Sequence, residues 1–98
     1  MISVVMATYN GAEFILEQLD SIRTQKLKPD QVIICDDCST DQTVALIRDY
    51  ITKHQLTDWQ LIENQENLGH YRTFIKLASL AEHDIVFFAD QDLSLIHI

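Results

Sequence analysis

Residues 84–92 read Asp84-Ile85-Val86-Phe87-Phe88-Ala89-Asp90-Gln91-Asp92, an unbroken apolar run that stops on two carboxylates at alternate positions. A short run of β-branched and aromatic residues predicts a strand buried on both faces, as in a parallel sheet. In extended backbone Asp90 and Asp92 face the same side. Two carboxylates on one side, with only oxygen donors nearby, suit magnesium or manganese better than zinc. The bland alternative is that acidic residues simply end a strand and meet water. A rigid apolar run holding the pair raises the weight of the metal reading. The same grammar occurs earlier, where Val32-Ile33-Ile34-Cys35 closes on Asp36-Asp37. Ligands of open α/β sheets lie outside the carboxyl ends of the strands, so both acidic clusters point at one rim.

Around these two runs the chain alternates between strand and helix patterns. Residues 2–7 form a first β-branched strand, broken by Thr8-Tyr9-Asn10-Gly11. From residue 12 to about residue 25, Ile15, Leu19 and Ile22 fall on one helical face. Asn10 with Glu13 makes a capping-box-like start for that helix, and Pro29 lies beyond its end. Ser39 with Gln42 reads as the start of a second helix, whose apolar face is Val44, Ile47 and Ile51. Residues 59–63 form a weaker, partly polar third strand, expected near a sheet edge. A polar loop over 64–70 precedes a third helix marked by Phe74, Leu77, Ala78 and Ala81. The order βαβαβαβ predicts an α/β, Rossmann-like fold with a largely parallel sheet.

At 98 residues the chain fits one small domain, and a 47% hydrophobic fraction with two Gly and one Pro argues for a packed core. A net charge of −8 and a pI near 4.6 exclude general affinity for nucleic acid backbones or anionic membranes. An anionic small ligand requires a cation between it and the carboxylates. No apolar run approaches the length of a membrane span. Two cysteines without a secretory signal point to a reducing compartment, and the expectation is a soluble cytoplasmic protein.

Several motifs have competing readings. Asp36 and Asp37 alternate, so one can accept hydrogen bonds from a base or ribose while the other caps the turn near Ser39. Taken alone, a pair of turn and cap residues is the better reading. Cys35-Asp36-Asp37-Cys38 is a C-x-x-C after a strand, but two carboxylates between the thiols disfavour the thiolate that redox chemistry needs. No second C-x-x-C or suitably spaced histidine completes a zinc site, so Cys35 reads as a small core residue. Asn67-Leu68-Gly69 is either a loop whose glycine permits close approach of a ligand or an ordinary turn. Arg72 can neutralise a phosphate, or else it and His70 lie on a solvated helix start. Trp59 reads as a packing residue, and His54, His83 and His97 receive no role.

Together these motifs resemble the nucleotide-binding half of an inverting family 2 glycosyltransferase of the GT-A fold. Val4-Val5-Met6-Ala7-Thr8-Tyr9-Asn10-Gly11 is similar to that family's first-strand signature. Asp36-Asp37-Cys38-Ser39-Thr40-Asp41 resembles its second-strand motif, usually written with Gly or Asn at the Cys38 position. Asn67-Leu68-Gly69 and Phe87-Phe88-Ala89-Asp90-Gln91-Asp92 complete the set, the latter as its D-x-D. The resemblance is strongest to members that transfer rhamnose or related sugars in surface polysaccharide synthesis. It implies a nucleotide site of Ala7, Tyr9, Asp37, Asn67, Gly69 and Asp90. Tyr9 would lie against the nucleobase, Asp37 on the edge of uracil or thymine, and Asp90 on the ribose. Asp92, with Asp90, would hold magnesium or manganese on the diphosphate. The implied partners are a UDP- or dTDP-sugar and a glycan or lipid-linked acceptor, with no nucleic acid, and the full-length protein would work in the cytoplasm at the inner membrane face.

Two departures qualify the resemblance. Thr73 stands where relatives often carry Asn before Phe74. The family pattern also continues past Asp92 with another acidic residue and a Trp, whereas this chain reads Leu93-Ser94-Leu95-Ile96-His97-Ile98. The expectation is a truncated domain over residues 1–92 with an atypical, foreign tail over 93–98. The catalytic base is then expected beyond residue 98, so the fragment itself would not turn over. Two alternatives stand beside this one. A nucleotidyltransferase making nucleotide sugars wants a Gly-rich, basic loop after the first strand, which is missing. A receiver-like acidic signalling domain binding magnesium wants its acidic pair after the first strand, where this chain has Thr8 and Tyr9. A glycosidase is disfavoured, because Asp90 and Asp92 are too near each other to flank a sugar.

Overall fold

The computed structural model describes residues 2–25, 28–89 and 94–97. The elements run β1 (Ile2–Thr8), α1 (Ile15–Thr24), β2 (Gln31–Asp36), α2 (Thr43–Lys53), β3 (Trp59–Glu63), α3 (His70–Leu80), β4 (Asp84–Ala89) and β5 (Ser94–His97). The sheet order is β3-β2-β1-β4-β5. β1 pairs parallel with β2 and β4, β2 pairs parallel with β3, and β5 runs antiparallel to β4. The α/β alternation and largely parallel sheet are those predicted, and β3 is the edge strand its polarity implied. The short β5 over part of the tail is an addition that patterning alone did not supply.

Alternation along the two central strands builds a core on each face. Val4 and Met6 of β1 and Val32 and Ile34 of β2 pack against Ile15, Leu19 and Ile22 of α1 and Ile47 and Tyr50 of α2. Val5, Ala7, Ile33 and Cys35 point to the other face, against Leu77 and Phe74 of α3. Trp59 packs at the margin of the first cluster with its ring centroid 6.0 Å from that of Tyr50, a packing role as predicted. Tyr50 also ties the two helices on this face together. Its hydroxyl donates to Asp20 Oδ1 at 2.6 Å and accepts from Arg23 Nε at 2.7 Å.

Two helix starts differ from expectation. α1 begins at Ile15, because the Gly11 carbonyl takes the N–H groups of both Phe14 and Ile15 and closes residues 11–14 into a turn. Asn10, in the left-handed region at φ 49°, does not cap α1 with Glu13; its side chain is used elsewhere. α2 begins at Thr43, and Asp41 accepts its N–H at 2.9 Å, while Ser39 turns back to Asp36. Short polar residues bond whichever backbone N–H the tertiary fold brings near, which local spacing cannot foresee.

The strand order has one consequence for ligands. The chain moves outward from β1 to β2 to β3, then returns to the opposite side of β1 to lay down β4. The direction of winding therefore reverses between β1 and β4, and a crevice outside the carboxyl ends of those two strands is where such sheets bind ligands. No described helix is long and apolar enough to cross a membrane.

Ile34, wholly buried on β2, tests the two-faced core. Ile34→Ala is expected to lower stability by about 2–5 kcal/mol, whereas Leu16→Ala on the exposed side of α1 should stay within about 0.5 kcal/mol. Urea denaturation of both variants measures the difference.

Candidate functional site

The rim is built where β1, β2 and β3 end. Asp36, the last residue of β2, is buried, and its carboxylate accepts from Thr8 Oγ1 at 2.7 Å, Ser39 N at 2.8 Å and Ser39 Oγ at 2.6 Å. Its neighbour Asp37 extends the ladder by donating its N–H to the Thr8 carbonyl at 2.8 Å. The Asp37 carboxylate, 5% exposed, is the centre of a second network. Oδ1 accepts from Leu68 N at 2.7 Å and Asn64 Nδ2 at 2.9 Å, and Oδ2 accepts from Gly69 N at 2.9 Å. Burial by itself raises the Asp37 pKa, but donation from Leu68, Asn64, Gly69 and Thr73 outweighs it and holds the group below the ordinary carboxylate range. Asp37 is thus an ionised, acceptor-only group.

The loop after β1 is stitched to the loop after β2. Asn10 N–H donates to Ser39 Oγ at 2.9 Å, and Asn10 Oδ1 accepts from Thr40 N at 2.8 Å. Gly11 N–H donates to Thr43 Oγ1 at 2.9 Å and Ala12 N–H to Asp41 Oδ2 at 3.2 Å. These bonds anchor the turn from which the Tyr9 ring, 51% exposed, projects. Cys38 occupies the left-handed region at φ 64°. That backbone favours Gly or Asn, since an ordinary side chain is strained in it.

The predicted nucleotide residues separate into three groups. Asp37, Asn67 and Gly69 form one cluster: Asn67 Nδ2 donates to the Asp37 carbonyl at 3.4 Å, and Gly69, at φ 87°, turns its N–H onto the Asp37 carboxylate. Ala7 is buried on β1 and Tyr9 stands just past its end. Asp90 and Asp92 lie outside the described residues. Among the described residues no group of three or more His, Cys, Asp or Glu side chains could hold a metal ion. Arg72 is exposed on the first turn of α3. Both cysteines are free; Cys35 is buried, its thiol donating to Asn64 Oδ1 at 3.3 Å, and burial pushes its pKa up. A redox role needs the opposite shift.

Sequence reasoning missed Thr8, Asn64, Thr73 and Lys76. Thr73 is wholly buried and accepts from Asn64 Nδ2 at 3.2 Å, which gives the departure from Asn at that position a structural place. Lys76 Nζ donates to Asn64 Oδ1 at 2.7 Å. A lysine four residues before a helix end, on the face that carries Thr73, was the one signal available.

An open α/β sheet whose parallel strands β1 and β2 end in an acidic, aromatic-bearing rim belongs to the class of folds that bind ligands at the carboxyl ends of their strands. Comparison with known proteins narrows this: the chain belongs to glycosyl transferase family 2, whose profile matches residues 3–96. The poly(ribitol-phosphate) β-N-acetylglucosaminyltransferase TarS of Staphylococcus aureus is 36% identical over 92 residues, covering 92% of this chain and 16% of TarS. The dTDP-rhamnosyl transferase RfbG of Shigella flexneri is 33% identical over 91 residues, covering 89% of this chain and 31% of RfbG. Among solved structures, the mannosyltransferase PcManGT of Pyrobaculum calidifontis, in complex with GDP-Man and Mn2+, superposes with a TM-score of 0.79 at 29% identity, over 87% of this chain and 26% of that one. TarS residues 1–349 in complex with UDP superpose with a TM-score of 0.77 at 29% identity, over 91% and 27%. The chain therefore spans less than a third of the length of these relatives. The GT-A type fold expected from the motifs is the fold observed.

Two measurements check this geometry. Cys38→Gly should raise stability by up to about 1 kcal/mol, because relief of the left-handed strain exceeds the added unfolded-state entropy. Cys38→Val should lower it by about 1 kcal/mol or more. For Asp37, the folded pKa lies below the unfolded one, so its stabilisation is complete above the ordinary aspartate pKa and is lost as pH falls through the folded value. Denaturation midpoints followed from about pH 6 down to about pH 2 should fall less steeply in Asp37→Asn than in the parent.

Proposed function

We propose that this chain supplies the nucleotide-binding part of a glycosyltransferase that moves a sugar from a nucleoside diphosphate sugar to a glycan or lipid-linked acceptor. The transfer is inverting and metal-assisted, and the donor is a UDP- or dTDP-sugar. One observation carries the reading: the ionised Asp37 carboxylate is held at the end of β2, one backbone hydrogen bond from the residue that precedes the exposed Tyr9.

The chemistry of Asp37 supports a class of base. An ionised carboxylate is acceptor-only, so what it can take from a base is an N–H. Uracil, thymine and guanine each present a ring N–H to such an acceptor, whereas cytosine and adenine present a lone pair. The nucleotides named for TarS, RfbG and PcManGT are UDP, dTDP and GDP, all of the first kind. Tyr9 offers a ring face for the base to stack on.

Asp90 and Asp92 come next in sequence after β4, which pairs parallel with β1 (Val5 opposite Phe87). Their hard carboxylate oxygens fit magnesium or manganese. Such a cation, when bound, offsets the charge of the departing diphosphate. The role of this chain's described residues is to bind and orient the nucleoside. The base that deprotonates the acceptor lies, on this reading, beyond residue 98.

Calorimetry with UDP, dTDP and GDP, with and without manganese, tests the proposal. Binding should require manganese and should weaken in Asp92→Ala by about tenfold or more, since even outer-shell metal partners are worth that much. The thermal midpoint of that variant should be unchanged. Absence of any manganese-linked nucleotide binding by the folded chain overturns the reading.

A further inference from the structure

We propose that Lys76 is a positioning residue for the nucleobase, acting through the side chain of Asn64 to hold Asp37 in its base-accepting orientation. This inference rests on the nucleotide-binding reading above and adds a residue that none of the recognised motifs contains.

Asn64 follows β3, and its buried carboxamide is fully used. Nδ2 donates to Asp37 Oδ1 at 2.9 Å and to Thr73 Oγ1 at 3.2 Å, and Oδ1 accepts from Lys76 Nζ at 2.7 Å and from the Cys35 thiol at 3.3 Å. A carboxamide has two donors and two acceptor lone pairs, so no capacity is left over. Its dipole lies between a cation on α3 and an anion at the end of β2, with the nitrogen toward the anion. Turning the amide by half a revolution would set its oxygen against the Asp37 carboxylate and its N–H groups against the Lys76 ammonium. Both contacts are repulsive, so the two charges together hold one orientation.

The arrangement bears on base choice. The Leu68 amide and Asn64 share Oδ1 of Asp37, and the Gly69 amide holds Oδ2. Asp36 and Asp37 are adjacent carboxylates, and Lys76 is the cation hydrogen-bonded into their network among the described residues. Without its ammonium, Asn64 loses its strongest donor and Asp37 loses a compensating charge. A tilted Asp37 carboxylate no longer aims a lone pair at the ring N–H of uracil, whereas cytosine, which offers a lone pair at that ring position, has little to lose.

The test measures uridine and cytidine diphosphate affinities, with manganese, for the parent chain, Lys76→Met and Lys76→Arg. Lys76→Met should bind UDP about tenfold more weakly, with CDP affinity little changed, so the UDP-to-CDP preference falls by the same factor. Lys76→Arg, which keeps charge and donor, should restore the preference to within about threefold. A merely structural role predicts equal losses for both nucleotides together with a lower thermal midpoint, and that result overturns the proposal. So does an unchanged preference in Lys76→Met. A second readout needs no variant: UDP should shift the Asn64 side-chain amide resonances of the parent protein, and unmoved resonances at saturation overturn the relay. If the parent binds no nucleotide at all, the nucleotide-binding reading fails first and this inference with it. Binding by the parent with no change of preference removes the inference alone.

Discussion

Two adjacent carboxylates, Asp36 and Asp37, are almost withdrawn from water at the end of β2, and the form of the rim follows from how their charges are met. An unpaired buried charge costs several kcal/mol, so donors must converge on each group. Thr8 and Ser39 supply them for Asp36; Asn64, Leu68 and Gly69 supply them for Asp37. These donors come from the ends of β1 and β3, from the loop before α2 and from the loop before α3. Satisfying two charges therefore orders four separate segments around one edge of the sheet.

The sheet makes that convergence possible. Parallel pairing of β1, β2, β3 and β4 brings every strand's carboxyl end to the same side, and the reversal of winding between β1 and β4 falls where such sheets bind ligands. Apolar side chains pack both faces of β1 and β2, so loops that carry polar chemistry rest on elements anchored in the core. The stitching of the first loop to the second through Asn10, Ser39, Thr40 and Asp41 extends that anchoring to the turn bearing Tyr9.

Much of this was legible in the chain because periodicity survives translation into structure. The runs at 2–7, 32–35 and 85–89 read as strands, and Ile15, Leu19 and Ile22 as one side of a helix. Turn chemistry was less legible. Asn10 and Ser39 looked like helix caps, yet each serves a loop about thirty residues away in sequence, Asn10 through Thr40 and Ser39 through Asn10. Cys38 sits in a C-x-x-C whose redox reading the intervening carboxylates already disfavoured, and its significance is a left-handed backbone.

What the sequence determined by itself is the α/β alternation, the two faces of the core and the acidic character of the strand ends, because each depends on spacing along one segment. Only the tertiary structure decided the strand order, and with it where the direction of winding reverses. It also decided which of Asp36 and Asp37 braces the turn and which is held by the loop before α3. Asn64, Thr73 and Lys76 became part of the site by the same route. The physical reason is that a buried charge recruits whichever donors the fold brings within about 3 Å, and nothing in local spacing says which segments those will be.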